Sequence, residues 1–228
     1  MPDVTQAPPE TEQELLERAR SIAGRRLADL ALAAGVTVPL DLRRAKGFVG
    51  QLVERALGAS SGSRAGPDFR ALGIELKTLP LDARGRPVES TFVCTIPLSR
   101  VGDIEWEDSP VRAKLERVLF VPVEGERERP VGERHIGEPF LWSPSADEEA
   151  DLRFDWDELS GRIGKGDVES VTGHLGRFLQ VRPKAADSHS RRVARDADGV
   201  SFAALPRGFY LRATFTERVV RARFGLDH

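Results

Sequence analysis

The stretch GPDFRALGIELKT, residues 66–78, sets Asp68 behind Pro67 and then places Glu75 and Lys77 two apart in a short apolar run. On extended backbone, residues two apart project from the same face, so this acid and this amine meet. Asp68 and Glu75 can hold a hard divalent cation, since Mg2+ takes few carboxylates and completes its shell with water and substrate phosphate. Lys77 can orient or deprotonate a water that attacks phosphorus, or stabilise charge growing on the phosphate. Together they could hydrolyse a phosphodiester with metal assistance. Crowding two carboxylates raises their proton affinity until a cation relieves it. An acid-x-Lys triplet behind an Asp also arises by chance, and the plain alternative is a surface ion pair on a half-exposed strand, worth little energetically. Lys77 is nevertheless the one lysine in the chain with an acid two positions earlier.

Lysine is scarce here. Of 34 Lys and Arg residues only five are Lys, at positions 46, 77, 114, 165 and 184. A compact amine approaches water or a phosphate oxygen in ways a planar guanidinium does not, which draws attention to these five, although five leftovers also arise by chance. No role attaches to Lys165.

The elements that must position these groups follow from periodicity. TEQELLERARSIAG pairs Thr11 with Glu14 in a capping-box pattern, carries Leu15, Leu16, Ala19 and Ile22 at helical spacing and stops at Gly24. LADLALAAG is a second helix, and GFVGQLVERALG a third that ends at Gly58 and carries Glu54 near its C-terminal end. ASSGSRAGP reads as a flexible loop before Asp68. GIELKTL alternates as a strand, DARGRP as a turn, and STFVCTIPL as the returning strand of a hairpin. PVRAKLERVLFVPVEG reads as a short helix carrying Lys114 that runs into a strand, and SADEEADLRFDWDELSGRIG as an acidic helix capped by Ser145. GRFLQVRPKA and ALPRGFYLRATF are strands or loops rich in Arg and aromatics, and TERVVRARFG is a final helix.

Composition narrows the classes of function. The chain has 228 residues, 40% hydrophobic and 31% charged, enough for one large domain or two lobes sharing a cleft. No apolar run approaches the ~20 residues of a membrane helix, and the acidic, Pro-rich start is unlike a secretory signal, so a cytoplasmic protein is expected. Cys94 is the single cysteine, so no internal disulfide and no thiolate zinc cluster form. His135, His174, His189 and His228 lack metal-ligand spacing, and GASSGS lacks the Gly-Lys-Ser/Thr ending of a phosphate loop, so no ATPase is expected. The net charge of -2 hides a split: Glu124–Glu158 holds 12 acids against 4 Arg, whereas Arg177–Arg223 holds 11 basic residues against 4 acids. The basic third could supply the phosphate contacts that dominate DNA affinity and the acidic segment could face a protein partner; equally, both could be solvated faces that neutralise each other.

The segments LVERALGASSGS, PDFRALGIELKT, ESTFVCTIPL, VLFVPVEGER, LWSP, VRPKAAD and LPRGFYL, taken in order, resemble the MutH family of methyl-directed mismatch-repair endonucleases over nearly the whole chain. The resemblance implies a mixed α/β, restriction-endonuclease-like fold with a PD-(D/E)-x-K core, residues 1–228 forming a single domain whose two lobes flank a DNA-binding cleft, the catalytic motif in the N-terminal part and DNA readout in the C-terminal part. It implies Mg2+-dependent nicking, with Mn2+ as a substitute, of the unmethylated strand at hemimethylated GATC sites by a monomer stimulated by MutL and, indirectly, MutS. Carried over residue by residue, Asp68 and Glu75 would ligate the metal, Lys77 would act on the water, and Glu54 and Lys114 would complete the catalytic set. Arg182 would read guanine through its fork, Lys184 would add a phosphate or base contact, Tyr210 would sit near the adenine amine, and Phe92 and Lys46 would lie near the DNA. Two alternatives stand beside this reading: a restriction-type GATC endonuclease that cuts both strands, and a non-catalytic DNA-binding module.

Overall fold

The computed structural model describes residues 6–43, 45–59, 66–184 and 190–226. It divides into two units that are discontinuous in sequence, one formed by residues 1–88, 116–143 and 220–228, the other by 89–115 and 144–219.

The first unit opens with three helices, α1 (Glu12–Ile22), α2 (Leu27–Ala34) and α3 (Phe48–Leu57). Thr11 caps α1 through the amide of Glu14, as the spacing predicts, but the Glu14 carboxylate turns back to the amide of Glu10 rather than that of Thr11. Gly35 and Gly58 close α2 and α3 in the left-handed conformation. The helices bury Leu15, Ala19, Leu27, Leu30, Leu52 and Leu57 against a sheet of β1 (Glu75–Leu81), β3 (Val118–Glu124) and β4 (Phe140–Trp142), in the order β1-β3-β4. The unbroken apolar run of β3, buried from Val118 to Val123, marks it as the central strand.

The expected hairpin from β1 to the next strand does not form. β1 pairs in parallel with β3, with Glu75 opposite Val118 and Lys77 opposite Phe120. The turn at DARGRP exists, held by the Asp82 carboxylate on the amides of Arg84 and Arg86. It is followed by a single bridge, Leu81 to Pro87, and the pairing stops where Pro80 accepts from the Val88 amide but has no N–H to give back. The chain then enters the second unit, where β2 (Thr91–Thr95) joins another sheet.

That sheet is antiparallel, β2-β8-β5, with β5 at Leu179–Pro183 and β8 at Arg207–Leu211. A separate hairpin pairs β6 (Arg192–Arg195) with β7 (Ser201–Ala204). Two helices, α4 (Pro110–Leu115) and the 19-residue α5 (Ala146–Gly164), belong to this unit, and α5 opens on a full capping box between Ser145 and Glu148. Trp156, fully buried on α5, packs on Phe209 of β8 with ring centroids 5.1 Å apart. The final helix α6 (Ala213–Phe224) starts earlier than the sequence pattern placed it.

Candidate functional site

β1 builds the acid–amine pair through its two-residue period. Glu75 is buried, 3% exposed, and its Oε1 lies 2.5 Å from Lys77 Nζ. A carboxylate so deep keeps its charge only beside a cation or several donors, and Lys77 provides one. Asp68 arrives by a short turn: Phe69 bridges to Ile74, Arg70–Leu72 form a 3₁₀ turn, and Asp68 Oδ2 accepts the Leu76 amide at 2.9 Å. That bond ties the first carboxylate to the strand carrying the second. Gly73, at φ 67°, reverses the chain between them, a conformation L side chains disfavour.

The donors are all oxygen, which suits a hard cation better than a soft transition metal. Among the described residues no three His, Cys, Asp or Glu side chains gather as a metal-binding group. Glu54 is half-buried on α3, which packs against β1. Lys46 is exposed in the turn before α3. Lys114 belongs to the second unit, where it is buried on α4 at 8% exposure, unusual for a lysine.

The second unit gathers the remaining candidates. Tyr210 on β8 stands opposite Phe92 on β2 and Gln180 on β5. The Phe92 and Tyr210 rings meet edge to face, centroids 5.2 Å apart. The Lys184 amine lies 3.0 Å from the Phe92 ring centre and the Arg182 guanidinium 5.9 Å from that of Tyr210, so each ring carries a cation on its face. Burial raises the Tyr210 phenol above its ordinary value although Arg182 pulls it down, so the hydroxyl stays protonated near neutral pH. Cations, rings and an intact phenol form a surface able to bind a polyanion and pack against a base.

Sequence patterning missed two supports of this surface. Gly208 lies opposite Arg182, and a Cβ there would come within 2.9 Å of the Phe92 ring and 3.2 Å of the Tyr210 ring. A glycine inside a strand signals such a close approach and could have been read. Asp155, 1% exposed on α5, accepts the amides of Arg177, Phe178 and Leu179 at 2.7–2.8 Å and so fixes where β5 begins. No local pattern separates it from the other acids of that helix.

The chain is 50% identical over 222 residues to the DNA mismatch repair protein MutH of Klebsiella pneumoniae (strain 342), covering 97% of this chain and 96% of that one. It belongs to the MutH family. The family model described as "DNA mismatch repair enzyme MutH" matches residues 57–155, which contain Asp68, Glu75, Lys77 and Lys114. The MutH of Vibrio cholerae serotype O1 (strain M66-2) is 53% identical over 213 residues, 93% of this chain and 96% of the relative. The MutH of Salmonella typhi is 50% identical over 221 residues, with 97% and 96% covered. Membership makes this protein a DNA mismatch repair endonuclease with the restriction-endonuclease-like fold, and its oxygen-donor pair suits the divalent metal of a nuclease family. Among the described residues no helix is long and apolar enough to cross a membrane.

Proposed function

We propose that the protein nicks the unmethylated strand of hemimethylated GATC sites in double-stranded DNA, using Mg2+ or, in its place, Mn2+, under stimulation by MutL. The observation that carries the chemistry is the buried Glu75–Lys77 pair on β1 with Asp68 tied to the same strand. Asp68 and Glu75 would hold the cation, which when bound supplies Lewis acidity toward the phosphodiester. Lys77 lies against Glu75 and would orient the attacking water or take its proton; Glu54 and Lys114 would complete the catalytic set. Lys46 would contact the backbone. Arg182 would offer its fork to guanine O6 and N7, Lys184 a phosphate or base contact, Tyr210 would sit near the adenine N6 and sense whether it carries a methyl group, and Phe92 would lie near the DNA. A ring distinguishes a methylated amine by fit, since one added methyl alters packing at a shaped surface.

The test is a strand-resolved cleavage assay on duplexes carrying one GATC site, hemimethylated, fully methylated or unmethylated, with Mg2+ and with or without a cognate MutL and ATP. A nick confined to the unmethylated strand, lost on full methylation and increased by MutL, is the expected result. Cutting of both strands irrespective of methylation would assign the protein to restriction-type enzymes instead. Binding without cutting in every condition would leave a DNA-binding module.

A further inference from the structure

The second unit contains an open pocket of about 650 Å³ at the end of β5, lined by Arg182, Arg207, Arg212, Thr172, His174 and Thr214 among others. Among the described residues only one of these three guanidinium groups, that of Arg207, has an acidic partner. Arg182 and Arg212 take part in no ion pair among the described residues, and Arg212 spends its donors on the carbonyl oxygens of Gly173, Leu175 and Gly176. Arg207 is 6% exposed, and its acidic partner is Glu169, 3.0 Å from Nη2 and itself 74% exposed. The Arg207 Nε is a buried donor without a partner. Such an orphan is costly, and Glu169 engages only half of the Nε–Nη2 edge that a tetrahedral oxyanion spans with two parallel hydrogen bonds. Helix α6 begins at the same place: Ala213 and Thr214 line the pocket, and first-turn amides have no intrahelical acceptor and favour negative charge.

We propose that this pocket is a phosphate subsite for one backbone phosphodiester of bound DNA, with Arg207 as its anchor and Glu169 as a built-in competitor that the phosphate displaces. Arg212 fixes the wall of the pocket by holding the 173–176 loop through its carbonyls. The proposal rests on the DNA-binding reading above and deepens it by giving a contact to Arg207, a residue of the LPRGFYL segment to which the resemblance attached no role. Because a phosphate contact is blind to sequence, it persists on duplexes that lack GATC.

Equilibrium DNA binding by fluorescence anisotropy tests this as a function of salt, using the full chain, one GATC duplex and one random duplex. Glu169→Gln, a change at an exposed side chain, should tighten binding several-fold on both duplexes at low salt. Arg207→Gln should weaken both and reduce the slope of log K against log salt by about one. A set of duplexes with single uncharged methylphosphonate linkages should contain one position that weakens wild type but not Arg207→Gln. Inorganic phosphate at matched ionic strength separates a free-phosphate site from a DNA site: it should compete only weakly, and full competition at low millimolar concentration would overturn the DNA assignment. An unchanged affinity in Glu169→Gln together with an unchanged slope in a folded Arg207→Gln would overturn the proposal; if Arg207→Gln does not fold, the Glu169→Gln result alone decides. Failure of the GATC reading shows separately, as equal wild-type affinity for the two duplexes.

Discussion

Lys77 has two features at the residue scale that seldom coincide: it is nearly buried, with 13% of its side chain exposed, and its amine lies against a carboxylate that is deeper still. An ion pair made only for stability gains little from such burial, because desolvation offsets the attraction. A pair that must admit a cation and a water gains a great deal, because the low dielectric strengthens each interaction when substrate arrives. Lys77→Ala should therefore slow single-turnover nicking by about 100- to 10,000-fold, the range of a lost acid–base group, while DNA affinity stays unchanged. Loss of binding in parallel with cleavage would overturn this role. Asp68→Asn separates structure from metal: the amide oxygen still accepts the Leu76 N–H, so the melting temperature should hold, whereas calorimetry should show divalent-cation affinity falling. The shared face of Glu75 and Lys77 was legible in the sequence because two-residue periodicity is a local property. Arg207 was not, since nothing local distinguishes a buried arginine from the many others.

At the scale of elements, helices were read well and strand partners were not. Caps and apolar spacing act within a few residues, so α1, α2, α3 and α5 emerge close to where Thr11, Gly35, Gly58 and Ser145 place them. Pairing of β1 with β3 joins Glu75 to Val118 across a long stretch of chain and leaves no local mark, and the alternating face of β1 resembled an antiparallel hairpin strand. The turn after β1 encouraged that reading, but the ladder ends at Pro80, which has no N–H to return to Val88. The second sheet makes a sharper demand on one residue. Gly208 is the space into which the Phe92 and Tyr210 rings close, and a methyl group there sits 2.9 Å from one ring and 3.2 Å from the other. Gly208→Ala should push the pair apart without opening the core, because Phe209 and Leu211, fully buried, keep their own packing. The expected outcome is a fall of about tenfold or more in the ratio of hemimethylated to fully methylated cleavage, with nicking of unmethylated DNA reduced less. A uniform loss on all three duplexes would mean that the glycine serves only the fold.

For the whole molecule, the charge split along the sequence is a poor map of surface charge. The acidic stretch from Glu124 to Glu158 is shared between the two units, and many of its carboxylates face arginines: Glu124 with Arg129, Glu148 with Arg218, Glu149 with Arg112, Asp151 with Arg177. The basic stretch is partly committed too, with Arg207 buried beneath Glu169 and Arg212 bound to carbonyls. Counting charges along the chain therefore overstates both an acidic partner surface and the number of phosphate contacts. The carboxylate pair and Lys77 lie in the first unit, and Arg182, Lys184, Phe92, Tyr210 and Lys114 lie in the second. Residues that share no partner contribute additively, so a cycle of variants measures how separate cleavage and binding are. Arg182→Gln should cost about 1–3 kcal/mol of binding on a GATC duplex and much less on a random one, as expected for a lost bidentate base contact. Lys77→Ala should cost nothing on either duplex, and the double variant should equal the sum of the two singles in binding while inheriting the cleavage defect of Lys77→Ala. If the double variant instead departs from additivity by more than about 0.5 kcal/mol in anisotropy titrations, binding at the reading surface and assembly of the metal site are energetically one event, and recognition itself builds the catalytic centre.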